Sequence, residues 1–311
     1  MERPSDYYPT SEEVDAWCDG ILRRARDLRV KVDTSIAPVY DFRLGVRHTG
    51  GVYLNCITEE LGEFYCFWQP CPSGHGPVLV HVPGYGAEMS AHPELVADGY
   101  NVLHISPLGY ATPHGPDEAK KEGDSWPVLP ETVRSRGEKG YVDWLTQAAA
   151  MTLWSWEQDG VDAGRYAFFG TSQGGGTALL LASIFRDEGV RAVAADVPFL
   201  VDFLLAAEGE FPGAYGLVLD PLRKIAERHP EEAAAAWKAI GLIDVMSHAH
   251  RLAMPTLLTA GELDEACLAA NIRSLFEKLP DTRSYTELAG QGHGYTTPFL
   301  HLARAWFRLY V

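Results

Sequence analysis

From residue 78 to the end of this 311-residue chain, short strand-like runs recur at 78–82, 101–105, 166–169, 191–195, 256–259 and 283–288. Helical stretches separate several of them. Parallel neighbours need crossovers of that kind, so the pattern predicts an α/β fold: a mostly parallel sheet with helices on both faces. With 46% hydrophobic residues the chain can bury a substantial core. No linker, repeat or low-complexity tract divides it, and a single domain over 1–311 is expected. Its first part, residues 1–77, reads as an amphipathic helix followed by antiparallel strands. The helix, over 11–29, presents Val14, Trp17, Ile21, Leu22 and Leu28 at helical spacing, with Ser11 and nearby Glu13 as a candidate cap. Two runs rich in aromatic and branched residues, 52–57 and 64–68, flank a turn containing Glu59, Glu60 and Gly62. Residues 198–252 break the alternation with helical patterns at 221–228 and 231–239 and no clear strand. They are expected to form a helical insertion over the carboxyl ends of the strands, where ligands bind in such sheets.

Within the third run the texture is special. The apolar residues 166–169 stop at Gly170, and Gly170-Thr171-Ser172-Gln173-Gly174 leads into small and apolar residues with helical character. In a strand–turn–helix of this G-x-S-x-G form, the serine sits on a strained bend and the glycines keep side chains out of it. The following helix turns its N-terminal N–H groups toward developing negative charge. The pentapeptide alone leaves open an ordinary glycine-rich turn with a capping serine. The order of later residues weighs on that choice, because an acyl-transfer serine needs a base, an acid to orient it and donors for the oxyanion.

In folds of this kind the chain order is serine, acid, histidine. Asp264 follows the 256–259 run and the turn at Gly261. Glu262 is its neighbouring competitor, whereas Asp244 and Asp281 have no strand before them. His293 lies in the loop Gly290-Gln291-Gly292-His293-Gly294, ahead of a last helical stretch at 299–309. Oxyanion donors are expected from the N–H groups of Gln173, just after the serine, and of Tyr85, in the loop Pro83-Gly84-Tyr85-Gly86. Tyr85, Trp126, Pro198 and Phe199 are candidates for the substrate pocket. Other histidines read as structural: His81 and His104 lie in strands, and His248-Ala249-His250 lacks the further ligands that a metal site needs. No metal and no cofactor is expected.

The formal net charge of −16 argues against nucleic acid as a partner, because phosphate binding needs clustered Lys and Arg. No stretch is long and apolar enough to span a bilayer, and residues 1–8 carry no leader-like apolar region, so no membrane association is expected. The five cysteines, Cys18, Cys56, Cys66, Cys71 and Cys267, show no C-x-x-C spacing. They read as reduced thiols of a cytoplasmic protein.

Several segments together, Gly84-Tyr85-Gly86, Gly170 through Gly176, Ala195-Asp196-Val197-Pro198-Phe199-Leu200-Val201-Asp202-Phe203, Gly261 through Cys267 and Gly292-His293, resemble carbohydrate esterase family seven. That is the acetyl xylan esterase and cephalosporin C deacetylase group of α/β-hydrolases. The resemblance runs from about residue 78 to the end. It implies a serine esterase that removes small acyl groups, chiefly acetyl, from sugar or antibiotic hydroxyls, often as a hexameric ring. Ser172, Asp264 and His293 would be its triad, and the Tyr85 and Gln173 N–H groups its oxyanion hole. Pro107-Leu108-Gly109-Tyr110 stands where family members carry Arg-Gly-Gln, and Gly294 where a Glu follows the catalytic histidine. Those departures bear on substrate and assembly rather than on the hydrolytic core. The implied partner is a small-molecule ester, with a homo-oligomer possible. The alternatives are a peptidase or amidase on the same scaffold, and a hydrolase fold kept as a binding protein without turnover.

Overall fold

The computed structural model describes residues 4–35, 50–84, 91–105, 111–112, 115–116, 139–209, 213–294 and 296–311. Nine strands among them form one sheet: β1 Lys31–Asp33, β2 Val52–Thr58, β3 Gly62–Gln69, β4 Gly76–Val82, β5 Asn101–Ile105, β6 Val161–Thr171, β7 Ala192–Asp196, β8 Thr256–Gly261 and β9 Arg283–Leu288. Their spatial order is β1-β2-β3-β5-β4-β6-β7-β8-β9. The first strands pair antiparallel, as far as β3 against β5. From β5 to β9 every pairing is parallel. The helices are α1 Ser11–Asp27, α2 Pro93–Ala97, α3 Lys139–Trp156, α4 Gln173–Ile184, α5 Phe203–Glu208, α6 Ala214–Arg228, α7 Pro230–Ile243, α8 Ala269–Lys278 and α9 Thr297–Tyr310.

Strands β4, β5, β7 and β8 are buried along their whole length. Continuous burial is what a parallel strand covered on both faces requires. Alternate residues serve the two faces. Val78, Val80, Val82, Leu103, Ile105 and Phe168 join α1, α3, α4 and α8 in the larger core. Leu79, Val102, Ala167 and Phe169 meet Leu95 of α2 and Phe299, Ala303 and Phe307 of α9. The period of two along each strand thus divides one apolar run between two layers.

Several local expectations need correction. Helix α1 is capped by Thr10, not Ser11: the Glu13 N–H donates to Thr10 Oγ1 and the Thr10 N–H donates to Glu13 Oε2. A capping box needs the hydroxyl three residues before the Glu, which Thr10 supplies. Short, half-buried β1 has no apolar run to betray it. Helix α6 begins at Ala214 and continues through Pro221. Its exposed side there, with Leu217 58% exposed, lets water satisfy the carbonyl that the proline cannot serve.

In the second half of the insertion, Ala236, Ile240, Ile243 and Val245 belong to the main core, and the 3-10 turns of Val245–Arg251 pack beside α1 and α4. Buried Arg251 donates from Nε to the Ser183 carbonyl (3.1 Å) and from Nη1 to Asp15 (2.7 Å). The ring of His248 bonds Ser183 Oγ and the Leu242 carbonyl, and its burial lowers the imidazole pKa to about 4.

Helix α4 approaches the 198–200 turn so closely that a Cβ on Gly176 would overlap the Phe199 carbonyl oxygen. Gly176→Ala is therefore expected to lower unfolding free energy by roughly 2–3 kcal/mol in urea titrations. Gly20→Ala, in α1 with nothing within 4 Å of the added methyl, is expected to stabilise by about 0.5–1 kcal/mol.

Candidate active site

Ser172 is the single residue between β6 and α4, with φ 59° and ψ −126°. Side chains other than glycine rarely adopt that backbone, and it costs on the order of 1–3 kcal/mol. Three hydrogen bonds hold it. The Ser172 N–H donates to the Asp196 carbonyl (2.9 Å), and the Ser172 carbonyl accepts from the N–H groups of Phe199 (2.9 Å) and Gly176 (3.0 Å). The flanking glycines answer to close backbone approach. A Cβ on Gly174 would strike the Val82 and Pro83 carbonyls, and one on Gly170 the Gly174 and Val82 carbonyls. Past the end of β4, a Cβ on Gly84 would stand 3.4 Å from Ser172 Cβ, so the loop leaving β4 starts against the serine. Tyr85 and Trp126 lie outside the described residues.

The loops after β8 and β9 meet at the same place. His293 Nε2 is 2.9 Å from Ser172 Oγ, and His293 Nδ1 is 2.9 Å from Asp264 Oδ2. The other Asp264 oxygen accepts from the Ala266 N–H (2.8 Å) and the Cys267 N–H (2.9 Å). The Asp264 side chain is fully buried and the His293 side chain is 34% exposed. A carboxylate accepts only, so Nδ1 carries the proton and Nε2 turns its lone pair to the hydroxyl. The two loops are tied by the Leu263 N–H to the Gln291 carbonyl (2.8 Å). A Cβ on Gly261 would come within 2.7 Å of the Gln291 and Gly292 oxygens, which accounts for the glycine before the acid.

The other acids are engaged elsewhere. Glu262 accepts from the Gly290 N–H at 2.7 Å, at the start of the histidine loop. Asp281 accepts from the Thr282 N–H at 2.8 Å. Asp244 takes the N–H groups of Asp202 and Phe203 (2.8 Å each) and the Tyr8 hydroxyl (2.9 Å). Gln173 occupies the first position of α4. Phe199 is not a wall of the site: it is 1% exposed and its ring packs with Phe203 and Tyr215 in the core. Its N–H, rather than its ring, serves the serine. Pro198 is also buried, against the start of α4 at Gly175.

Sequence reasoning passed over the supports of this site. Asp196, fully buried at the end of β7, accepts from Thr259 Oγ1 (2.6 Å) and Thr171 Oγ1 (3.4 Å). Burial pushes its carboxyl up to about 7, against the pull of the two hydroxyls and of nearby His293. The chain then runs through Val197, Leu200 and Asp202, all at positive φ. Asn271 Nδ2 donates to the Val201 and Asp202 carbonyls. Asp244 is likewise pushed up by burial, to about 6, although three backbone N–H groups oppose the shift. The run of residues 195–203 carried a family resemblance, but nothing in its letters marked these contacts.

The family model described as acetyl xylan esterase (AXE1) matches residues 68–309. The chain belongs to the acetyl xylan esterase family. As a member it is a carboxylic ester hydrolase with the α/β-hydrolase fold. An acetyl xylan esterase from Thermoanaerobacterium is similar over 97% of this chain and 95% of its own, at 20% identity and a TM-score of 0.73. One from Paenibacillus is similar over 99% and 98%, again at 20% identity and 0.73. An acylaminoacyl peptidase from Pyrococcus horikoshii shares the fold over 79% of this chain and 39% of its own, at 15% identity and 0.59. None of the described helices of this esterase is long and apolar enough to cross a membrane.

The raised carboxyl of Asp196 has a sign. An acid whose folded pKa exceeds its unfolded value costs nothing below about pH 4 and its full penalty above about pH 7. Asp196→Asn removes that penalty. The variant is expected to match wild type near pH 4 and to exceed it by on the order of 2–4 kcal/mol at pH 8, measured by urea unfolding across that range.

Proposed function

We propose that this family member is a serine esterase that removes acetyl or similarly small acyl groups from hydroxylated small molecules, acetylated sugars foremost, through an acyl-enzyme. The observation that carries the reading is the run of 2.9 Å contacts from Ser172 through His293 to Asp264, built on a strained turn. Ser172 Oγ attacks the ester carbonyl while His293 Nε2 takes its proton. Asp264 holds the ring and stabilises the imidazolium, its second oxygen fixed by two backbone N–H groups. The oxyanion is received by the N–H of Gln173 and by that of Tyr85, each donor worth about 3 kcal/mol in the transition state. The imidazolium returns its proton to the departing alcohol. Water then enters by the same route in reverse and frees the acid.

Acetyl is favoured by the family and by the names of the two esterases that match over nearly their whole length. The peptidase similarity keeps amides as the second reading, because the same apparatus can attack one. A cytoplasmic location is supported by five buried cysteines without disulfides. A homo-oligomer, hexameric by the resemblance, is open to light scattering.

Ser172→Ala is expected to cut 4-nitrophenyl acetate hydrolysis by about a million-fold and Asp264→Asn by about ten-thousand-fold, with the circular dichroism spectrum unchanged. Glu262→Gln should leave the rate within a few-fold. Rates should fall from acetate through butyrate to octanoate and be far lower for the acetanilide. A preference for octanoate would refute the small-acyl assignment, and faster anilide cleavage would favour the amidase. A folded wild type that neither hydrolyses these esters nor takes a fluorophosphonate at Ser172 would make the chain a binder.

A further inference from the structure

On the sheet face opposite α4, three buried histidines meet: His81 of β4, His104 directly beside it on β5, and His92 at the head of α2. One ring nitrogen of each lies within 4.8 Å of those of the other two. His81 Nδ1 and His104 Nδ1 are 3.0 Å apart.

Their outer partners fix which nitrogens face inward. The His92 backbone N–H donates to Gln69 Oε1 (2.9 Å), which identifies that atom as the amide oxygen. The same oxygen is 3.0 Å from His104 Nε2, so Nε2 carries the proton and Nδ1 the lone pair. Glu94 Oε1 lies 3.3 Å from His92 Nδ1, so the proton is on Nδ1 and the lone pair on Nε2. An amide oxygen and a carboxylate thus hold two imidazoles with their lone pairs committed. Outer hydrogen bonds of this kind orient histidines that ligate metals.

We propose that His81, His92 and His104 form a buried site for one divalent transition-metal ion, zinc by preference, which joins β4, β5 and α2. Imidazole suits zinc, copper and nickel, whereas an all-nitrogen set does not suit magnesium or calcium. Zinc–nitrogen bonds of about 2.0–2.1 Å in a tetrahedral shell set the nitrogens about 3.3 Å apart. The His81–His104 pair is already that close. The remaining nitrogen closes by a turn of the His92 ring, now stacked on His104 at 8°. The ion would fasten both ends of the chain segment that leaves β4 beside Ser172 and returns at His92. The rival arrangement is a dry cluster in which the His81 Nδ1–H donates to His104 Nδ1.

The test uses the whole chain, stripped with a chelator, dialysed metal-free and checked for fold by circular dichroism. Titration with Zn²⁺ is expected to load about one equivalent and to raise Tm by about 5 °C at a hundredfold excess over Kd. Co²⁺ should give visible d–d bands. Ser172→Ala and His229→Ala should keep both signals, and His92→Gln should lose them. A chain that unfolds on stripping and is restored by the ion counts in favour as well. Uptake below about a tenth of an equivalent of Zn²⁺, Co²⁺, Ni²⁺ or Cu²⁺ by folded wild type overturns the proposal. So does uptake that survives His92→Gln but is lost in His229→Ala, which would place the ion in the exposed cluster of His229, Glu231 and Glu232.

Discussion

The backbone of Ser172 is clamped to the end of the neighbouring strand, and the site hangs from that clamp. Its N–H reaches the Asp196 carbonyl, and its carbonyl takes the Phe199 N–H three residues beyond β7. The same strand end is stitched onward, because the Val197 N–H donates to the Thr259 carbonyl of β8. Strand β8 delivers Asp264, and the loop after β9 rests on Gly261 at the tip of β8. Ser172, Asp264 and His293 are therefore referred to one short stretch of hydrogen-bonded backbone. A strained serine persists only where its surroundings over-determine it, and three backbone bonds do so here.

Polar groups inside that stretch explain its rigidity. Asp196 spans from β6 to β8 through Thr171 and Thr259, and Asp244 gathers the N–H groups at 202 and 203 while holding Tyr8 from the N-terminal segment. Burying a carboxyl is unfavourable unless donors surround it. The two raised carboxyls show burial prevailing over those donors. Asp264 is met differently, by two backbone N–H groups and an imidazole. Three buried aspartates thus differ in role because of the donors that face them.

What could be read from the letters follows from the range of the interactions. The buried parallel strands were legible, since a strand covered on both faces must be apolar throughout. The G-x-S-x-G turn and the glycine-flanked His293 were legible because glycine marks close backbone approach locally. Asp196 and Asp244 were not, since a buried aspartate and a turn aspartate look alike until partners more than forty residues away are known. Phe199 was misplaced for a related reason: an aromatic near a site can face the core while its backbone serves the chemistry. The N-cap expectation fell one residue late because Ser11 and Thr10 are adjacent, and only the spacing to Glu13 separates them. The trio of His81, His92 and His104 was invisible as a trio, its third member being outside the strands that hold the other two.

The turn that follows β7 places Val197, Leu200 and Asp202 at positive φ, with Val197 bonded to β8 and Leu200 and Asp202 to the adjacent residues Val245 and Asp244. Apart from Asp202, whose carboxylate caps α5 and takes the Ser274 hydroxyl, the turn is held through its backbone. Its length is therefore fixed: adding or deleting one residue between 196 and 202 would put the bonds to Thr259, Ser172, Val245 and Asp244 out of step at once. Divergence among proteins built this way should accumulate as exchanges within this turn and as insertions elsewhere in the chain.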